Sequence, residues 1–481
     1  MNNKLKFIAI LISTVIFAGC SDFIDLVPQS TATVANVYQT DKDFMDAIVG
    51  CYNQLRSQMG SYWQWDLVSD DARHQWATLD TRRNLDEYAY QNNEGFFSSR
   101  WNGYYSLIYR SNYVLEAIEN ADNDVVTNKQ TYIGEAKFMR AISHYHLVRA
   151  FGDIPLVTKV MLDDEALKLG RTPVNTVYEQ IITDLREAAD ALPTSYSGSD
   201  IGRITKGAAR AILGSVYLTN KRYAEAEAIL KEVTTMGYAL LPNYNDLWDY
   251  TKNEHHSEYI FDIEYESNIE LGSGLTNEFA PNQSDFFLAY GLVGGNGNSY
   301  NPSDELFTVF EDHDLRKDVT CARGWIHSVT GEYYEIPANA IGAKSFTKKY
   351  IAALPRSGDS PANWKVVRYA DVLLMLGEAL NENNKTLEAL TYINQVRTRA
   401  GVDTYPDNIS RDDLREEIYQ ERRRELSFEG HRIWDLFRTG RVLQACGPLG
   451  MQPYMVLFPI PLSQIQVMND PSIFPQNPGW D

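Results

Sequence analysis

The sequence predicts a mainly α-helical protein, about four packed helix pairs forming a scaffold that carries a loop-rich insertion. Three observations predict it. Apolar residues recur at three- and four-residue intervals through several long stretches, the spacing that builds one buried helix face. Glycine and alanine stand where two such helices would have to approach closely. Between about 253 and 364 this pattern gives way to short alternation and glycine-rich loops. The 481 residues are 44% hydrophobic and 22% charged, ordinary values for a globular chain and unlike those of a disordered one.

The N-terminus is an address. Lys4 and Lys6 precede an apolar run from Leu5 to Phe17, and Ala18-Gly19-Cys20 follows. The run is short for a bilayer span, and the order of charge, apolar stretch and small residues is that of an export signal. A cysteine directly after Ala-Gly makes residues 1–19 a lipoprotein signal peptide, with Cys20 lipidated on its sulfur and first in the mature chain. An ordinary secretory signal with an incidental cysteine is the competing reading. Ser21 rather than an aspartate favours the outer membrane of a Gram-negative cell. Residues 20–40, polar and containing Pro28, are expected to be a tether, and residues 41–481 a single helical domain. Cys51, Cys321 and Cys446 are too few and too odd for a disulfide framework.

Four helix pairs follow. Asp41–Met59 pairs with Phe97–Asn120, and Thr131–Phe151 with Val174–Leu192. In the second of these, Phe138, Ala141, Ile142, Tyr145 and Val148 share a face. Leu213-Gly214-Ser215-Val216-Tyr217 matches the L-G-x-x-Y core of a tetratricopeptide repeat, and Tyr223, Ala226, Leu230 and Val233 form its second helix. Leu376-Gly377 opens the last pair, continued by Ala389, Ile393, Val396 and Ala400. In the insertion, about 253–364, Glu258–Ile263 alternates like a strand. The segment 446–481 is proline-rich and aperiodic.

Several functions are excluded or disfavoured. With 64 acidic against 44 basic residues the net charge is −20, the wrong sign for gripping phosphates, so no nucleic-acid role is expected. His144 and His146 are two apart on a helix and point to different faces, and His255-His256 lacks a spaced third ligand; no metal site and no cofactor is expected. Asp312, Asp314 and Asp318 are interrupted by Arg316 and Lys317 and lack the glycine of a calcium loop. Glu425 and Glu429 lie four apart, as a glycosidase pair could, but Arg422, Arg423, Arg424 and Arg432 surround them. Such neighbours favour ionised carboxylates, the wrong state for a general acid. They read as a structural ion-pair network, and the protein as a non-enzyme.

The later motifs resemble a known family. They are Asn301-Pro302-Ser303-Asp304-Glu305-Leu306 with Asp314 and Arg316, Lys348-Lys349-Tyr350, Arg368-Tyr369-Ala370-Asp371, and Glu421-Arg422-Arg423-Arg424-Glu425-Leu426. Phe428-Glu429-Gly430-His431-Arg432 with Trp434-Asp435-Leu436, Phe458-Pro459-Ile460-Pro461 and Gln476-Asn477-Pro478-Gly479-Trp480 complete the set. In this order, behind a lipoprotein signal, they resemble the SusD/RagB family of outer-membrane nutrient-binding lipoproteins. The resemblance implies a tetratricopeptide-like helical fold and a surface-exposed, lipid-anchored location. It also implies capture of oligosaccharides for a SusC-like, TonB-dependent outer-membrane transporter. A peptide- or glycoconjugate-binding member, and a tetratricopeptide scaffold without sugar binding, are the alternatives.

The aromatics locate the expected ligand face. Sugar rings stack their C–H faces on Trp and Tyr, while their hydroxyls seek carboxylates, amides and arginine. An early bend, 61–76, supplies Trp63, Trp65, Asp70, Arg73 and Trp76. The insertion supplies Tyr290, Asn296, Tyr300, Trp325 and Tyr334. The two regions are expected to meet as the binding face, with Trp101 and Trp434 assigned to packing.

Overall fold

The computed structural model describes residues 38–74, 80–252, 254–294, 300–337 and 344–480. The signal peptide, Cys20 and nearly all of the tether lie outside the described residues.

The expected pairs form. Helix α1 (Asp41–Met59) packs against α2 (Gly95–Glu119), and α3 (Lys129–Phe151) against α4 (Val174–Ala191). Helix α5 (Lys206–Thr219) packs against α6 (Tyr223–Thr234), and α7 (Tyr369–Glu382) against α8 (Thr386–Ala400). Neighbouring pairs also touch, α2 against α3, α4 against α5 and α6 against α7, so the apolar faces join in one continuous core. Helix α9 (Arg411–Leu426) closes the array against α7.

Local chemistry starts and seats these helices. In α1, Thr40 is the N-cap: its hydroxyl accepts from the Asp43 N–H, and the Asp43 carboxylate accepts from the Thr40 N–H at 2.8 Å. Phe44, Ile48, Cys51 and Leu55 then fall on its buried face. The two repeat glycines act as anticipated. A Cβ at Gly214 would collide with Leu230, and one at Gly377 would lie 2.6 Å from Ile393, so only glycine lets these pairs close. Helix α3 departs from the single stripe read in the sequence. It runs between α2 and α4 and is buried almost all round, with His144 and His146 both inside.

Between α6 and α7 the chain makes short elements. Strand β2 (Tyr259–Ile263) pairs antiparallel with β5 (Trp364–Arg368), which runs directly into α7. All three cysteines beyond the N-terminal segment are buried with free thiols.

A buried network of charges joins this excursion to the helices. Arg368 binds Glu258 at 2.8 Å, Glu425 at 2.5 Å and Glu429 at 2.8 Å. Glu425 also holds Arg316 and Arg399, and Lys349 Nζ reaches Glu429 at 2.7 Å. Burial alone would raise the Glu429 carboxyl, but the charges of Arg368 and Lys349 outweigh it and bring it down to about 2. Glu425 is likewise pushed up by burial and pulled well below the carboxylate range by Arg399, Arg368 and Arg316.

Two outcomes follow from this network. Arg368→Gln removes one cationic partner from each of three buried carboxylates, and urea melts should show a loss of about 3–5 kcal/mol; a loss under 1 kcal/mol would show that the remaining cations, Arg316, Lys349 and Arg399, compensate. The depressed Glu429 stabilises the fold above its ordinary value of 4.5, and this contribution disappears as pH falls toward about 2. Melting temperature should therefore drop across that interval, and less steeply in Glu429→Gln.

Candidate ligand face

The early bend leaves α1 as a 3₁₀ segment, Tyr62–Val68, and continues into strand β1 (Ala72–Arg73). Strand β3 (Asn301–Pro302) of the excursion pairs with it antiparallel, Ala72 opposite Pro302 and Arg73 opposite Asn301. Ser303 fastens the pair, its N–H donating to the Asp71 carbonyl and its hydroxyl to the Asp70 carbonyl, each at 2.8 Å. The two regions thus meet.

They meet in the interior, however, and much of the expected binding set is core. Trp63 is 2% exposed and packs on Tyr300 and Phe279, with ring centroids 5.1 and 6.0 Å away. Trp65 is 2% exposed inside a cage of Phe96, Trp434 and Phe458, all within 5.0 Å. Tyr300 is fully buried beside Asp66. Asp70 is taken by Arg432 at 2.7 Å and Arg423 at 3.0 Å. None of these four side chains is available to a glycan in this conformation. The physical reason is the 3₁₀ geometry: with three residues per turn, and α1, α2, the excursion and the C-terminal segment all packed around it, the segment has no free side. Arg73 keeps partial exposure but is spent on the Ser69 carbonyl at 3.2 Å and lies 3.6 Å from Asp86. Trp76 and Asn296 lie outside the described residues.

Three expected residues form an outer cluster. Helix α10 (Ser284–Tyr290) and the hairpin of β4 (Gly324–Ile326) with β6 (Tyr333–Glu335) surround a small satellite core of Phe286, Trp325 and Phe346. Trp325 lies edge-on to Phe286 at 5.3 Å and under Tyr334 at 4.7 Å. Its indole N–H donates to Asp285 at 2.9 Å, which fixes the ring plane. Asp285 also accepts from the Ser328 N–H at 3.2 Å and from the Ser328 hydroxyl. Tyr334 is 38% and Tyr333 55% exposed, while Tyr290 is half-buried and stacks on Phe286 at 4.4 Å. Trp325 itself is 3% exposed, so it supports Tyr334 rather than presenting a face of its own.

Polar groups border the tyrosines. The Asp318 charge acts on both Tyr290 and Tyr333, and Lys348 pairs with Asp318 at 2.7 Å. Partial burial is the main influence raising both phenols. Arg82 reaches across to Glu278 at 2.9 Å, so the segment after the early bend and the excursion also touch outside the core. Asp285, Asp318 and Lys348 were not singled out as ligand-face residues from the sequence. The hairpin was legible in principle, since Trp325-Ile326 and Tyr333-Tyr334 flank a Thr330-Gly331 turn; Asp285, on a separate helix, carries no such local signal.

The fold has counterparts. A family model described as "SusD family" matches residues 330–448, and one described as "Starch-binding associating with outer membrane" matches 22–218; together they cover more than half of the chain. SusD-like protein P2 of Formosa agariphila is 29% identical over 520 residues, with 99% of each chain covered. A SusD-like protein of Bacteroides ovatus is 28% identical, covering 92% of this chain and 83% of its own. Among solved structures, a SusD homolog from Bacteroides thetaiotaomicron superposes with a TM-score of 0.79 at 24% identity, covering 93% of this chain and 98% of that one. A laminarin binding SusD-like protein gives 0.77 at 24% identity, covering 92% and 100%. By its matches to these two family models and to SusD-like relatives over nearly its whole length, this chain belongs to the SusD/RagB family.

Proposed function

We propose that this chain is a cell-surface glycan-binding lipoprotein. In this reading it captures oligosaccharides and passes them to a partner TonB-dependent transporter of the outer membrane. The observation that carries it is the set of partly exposed tyrosines on this outer cluster: Tyr334 seated on Trp325, Tyr290 stacked on Phe286, and Tyr333 on the other face of the hairpin, with Asp318, paired to Lys348, acting on Tyr290 and Tyr333. Exposed rings on a rigid base, beside charged hydrogen-bonding groups, suit the alternating apolar and hydroxyl faces of a saccharide. Family membership supports the class of ligand, since relatives include a laminarin binding protein and a surface glycan-binding protein A of Bacteroides fluxus. The description "associating with outer membrane" supports the location. Residues 41–481 act as one helical body in this proposal, the excursion of about 253–364 carrying the ligand face and lipidated Cys20 holding the body to the membrane.

The chemistry is that of holding. Glu425 is enclosed by arginines and Glu429 by Arg368 and Lys349, which hold both carboxyls well below their ordinary value, so neither has a proton to give a glycosidic oxygen.

Titration calorimetry with laminarin oligosaccharides and a wider glycan set tests the face. Tyr334→Ala and Tyr333→Ala should each weaken binding about tenfold, the loss of one stacked ring, with melting temperature nearly unchanged. Trp65→Ala should do the reverse, costing about 3–5 kcal/mol of stability while the folded fraction keeps its affinity. Native affinity in both tyrosine variants would place the site elsewhere. Cell fractionation tests the anchor: Cys20→Ser should move the protein from the outer-membrane fraction to the soluble one and abolish labelling by a radioactive fatty acid.

A further inference from the structure

The buried arginines of α9 and its neighbours meet carboxylates. Arg149, near the end of α3, does not. Its guanidinium lies between the rings of Tyr145 and Trp434, 4.0 and 4.6 Å from their centroids. Its N–H groups donate to the Tyr145 carbonyl at 3.3 Å, the Tyr62 hydroxyl at 3.2 Å and His146 Nδ1 at 2.7 Å. Every one of these acceptors is neutral. Arg100 nearby is similar, 2% exposed and donating to the Gln58 carbonyl and to the carbonyl and hydroxyl of Ser61. Hydrogen bonds to neutral groups satisfy N–H donors but leave the charge itself without a counter-ion.

A cavity of about 50 Å³ opens beside Arg149, lined by His146, His431 and Ser215 among others. His146 is 6% exposed, and its protonation follows from its contacts. Nδ1 accepts from Arg149, so in the neutral ring the hydrogen sits on Nε2. Burial, reinforced by the charges of Arg149 and Arg100, drives this imidazole well below its ordinary value and keeps it neutral. Nε2–H is then a buried donor with no acceptor among the described residues. Two carboxylates also line the cavity, but both are engaged: Glu429 with Arg368 and Lys349, and Asp371 with Arg422 at 2.7 Å. A cation without a carboxylate and a donor without an acceptor thus border one space, which exceeds the room a single water needs.

We propose that this cavity is a binding site for one small monovalent anion, a halide or a carboxylate group, held by Arg149 and His146. It is distinct from the tyrosine face, which lies on the excursion, and it does not depend on that face binding glycans. The same chemistry could be supplied by a free ion or by the carboxylate of an acidic saccharide.

Crystals of the full mature protein soaked in sodium bromide provide the direct test, because they need no variant to fold. An anomalous peak in contact with the Arg149 guanidinium is expected; ordered water there in place of bromide would overturn the proposal. In solution, chloride and acetate should raise the melting temperature above that in gluconate at equal ionic strength. Arg149→Met should lose this dependence, and His146→Phe should weaken it. Equal melting temperatures in all three salts would also overturn the proposal. Adding glucuronic acid separates the sources: a further rise at saturating chloride points to a saccharide carboxylate, and no further rise to the free ion.

Discussion

Charge compensation in a dry interior governs how this chain is assembled. Arg368 stands at the junction of β5 and α7 and touches three carboxylates from two other segments, Glu258 just before β2 and Glu425 and Glu429 at the end of α9. Glu425 in turn gathers Arg316 from the excursion and Arg399 from α8. Apolar packing alone would tolerate small sliding between these pieces. A network of buried ions does not, because displacing one partner strands a charge at a cost of several kcal/mol. The excursion is therefore tied to the helical array near its start, in its middle at Lys349 and Arg316, and at its end.

The same interaction explains which parts of the fold were legible. Helix positions follow from apolar spacing, a local property, and the four pairs could be read directly, down to Gly214 and Gly377 at the closest approaches. Helix α3 was half legible. Its stripe was visible, but burial on the opposite side comes from α2, and no spacing within α3 reports that. The network at Glu425 and Glu429 was legible as chemistry, since four arginines within a few residues leave a glutamate little freedom. Its partners Arg316, Lys349 and Arg368 lie 109, 80 and 57 residues from the acids they bind, and Glu258 joins through Arg368, 110 residues away; in space they are adjacent, which sequence spacing does not encode.

The early bend shows the opposite case. Its mixture of Trp, Asp and Arg has the composition of a saccharide site and also that of a junction where several elements converge. Composition does not distinguish them, because both need large rings and polar groups. Position decides: a 3₁₀ turn with packed elements on every side turns Trp63 and Trp65 into interior contacts, and arginines enclose Asp70 just beyond it, whereas the β4–β6 hairpin at the edge of the body leaves Tyr333 and Tyr334 partly exposed.

Within that junction Tyr62 has a further consequence. Its hydroxyl accepts from Trp434 Nε1 at 2.9 Å and from Arg149 at 3.2 Å, and lies 3.2 Å from His146 Nδ1. Because the Arg149 guanidinium can only donate, its contact with His146 Nδ1 at 2.7 Å leaves that nitrogen unprotonated; the Tyr62 hydroxyl, with two donors already directed at its oxygen, can turn its own hydrogen toward the same nitrogen, and the imidazole hydrogen lies on the far side. Arg149 is thereby held by rings and neutral oxygens rather than by a carboxylate, in contrast to Arg368. Cation–π contact with Tyr145 and Trp434 offsets part of the desolvation of that charge, by about 1–2 kcal/mol for each ring at most. The remainder is an unbalanced positive field beside the cavity, set up by Arg149 of α3 and held in place by Tyr62 of the early bend.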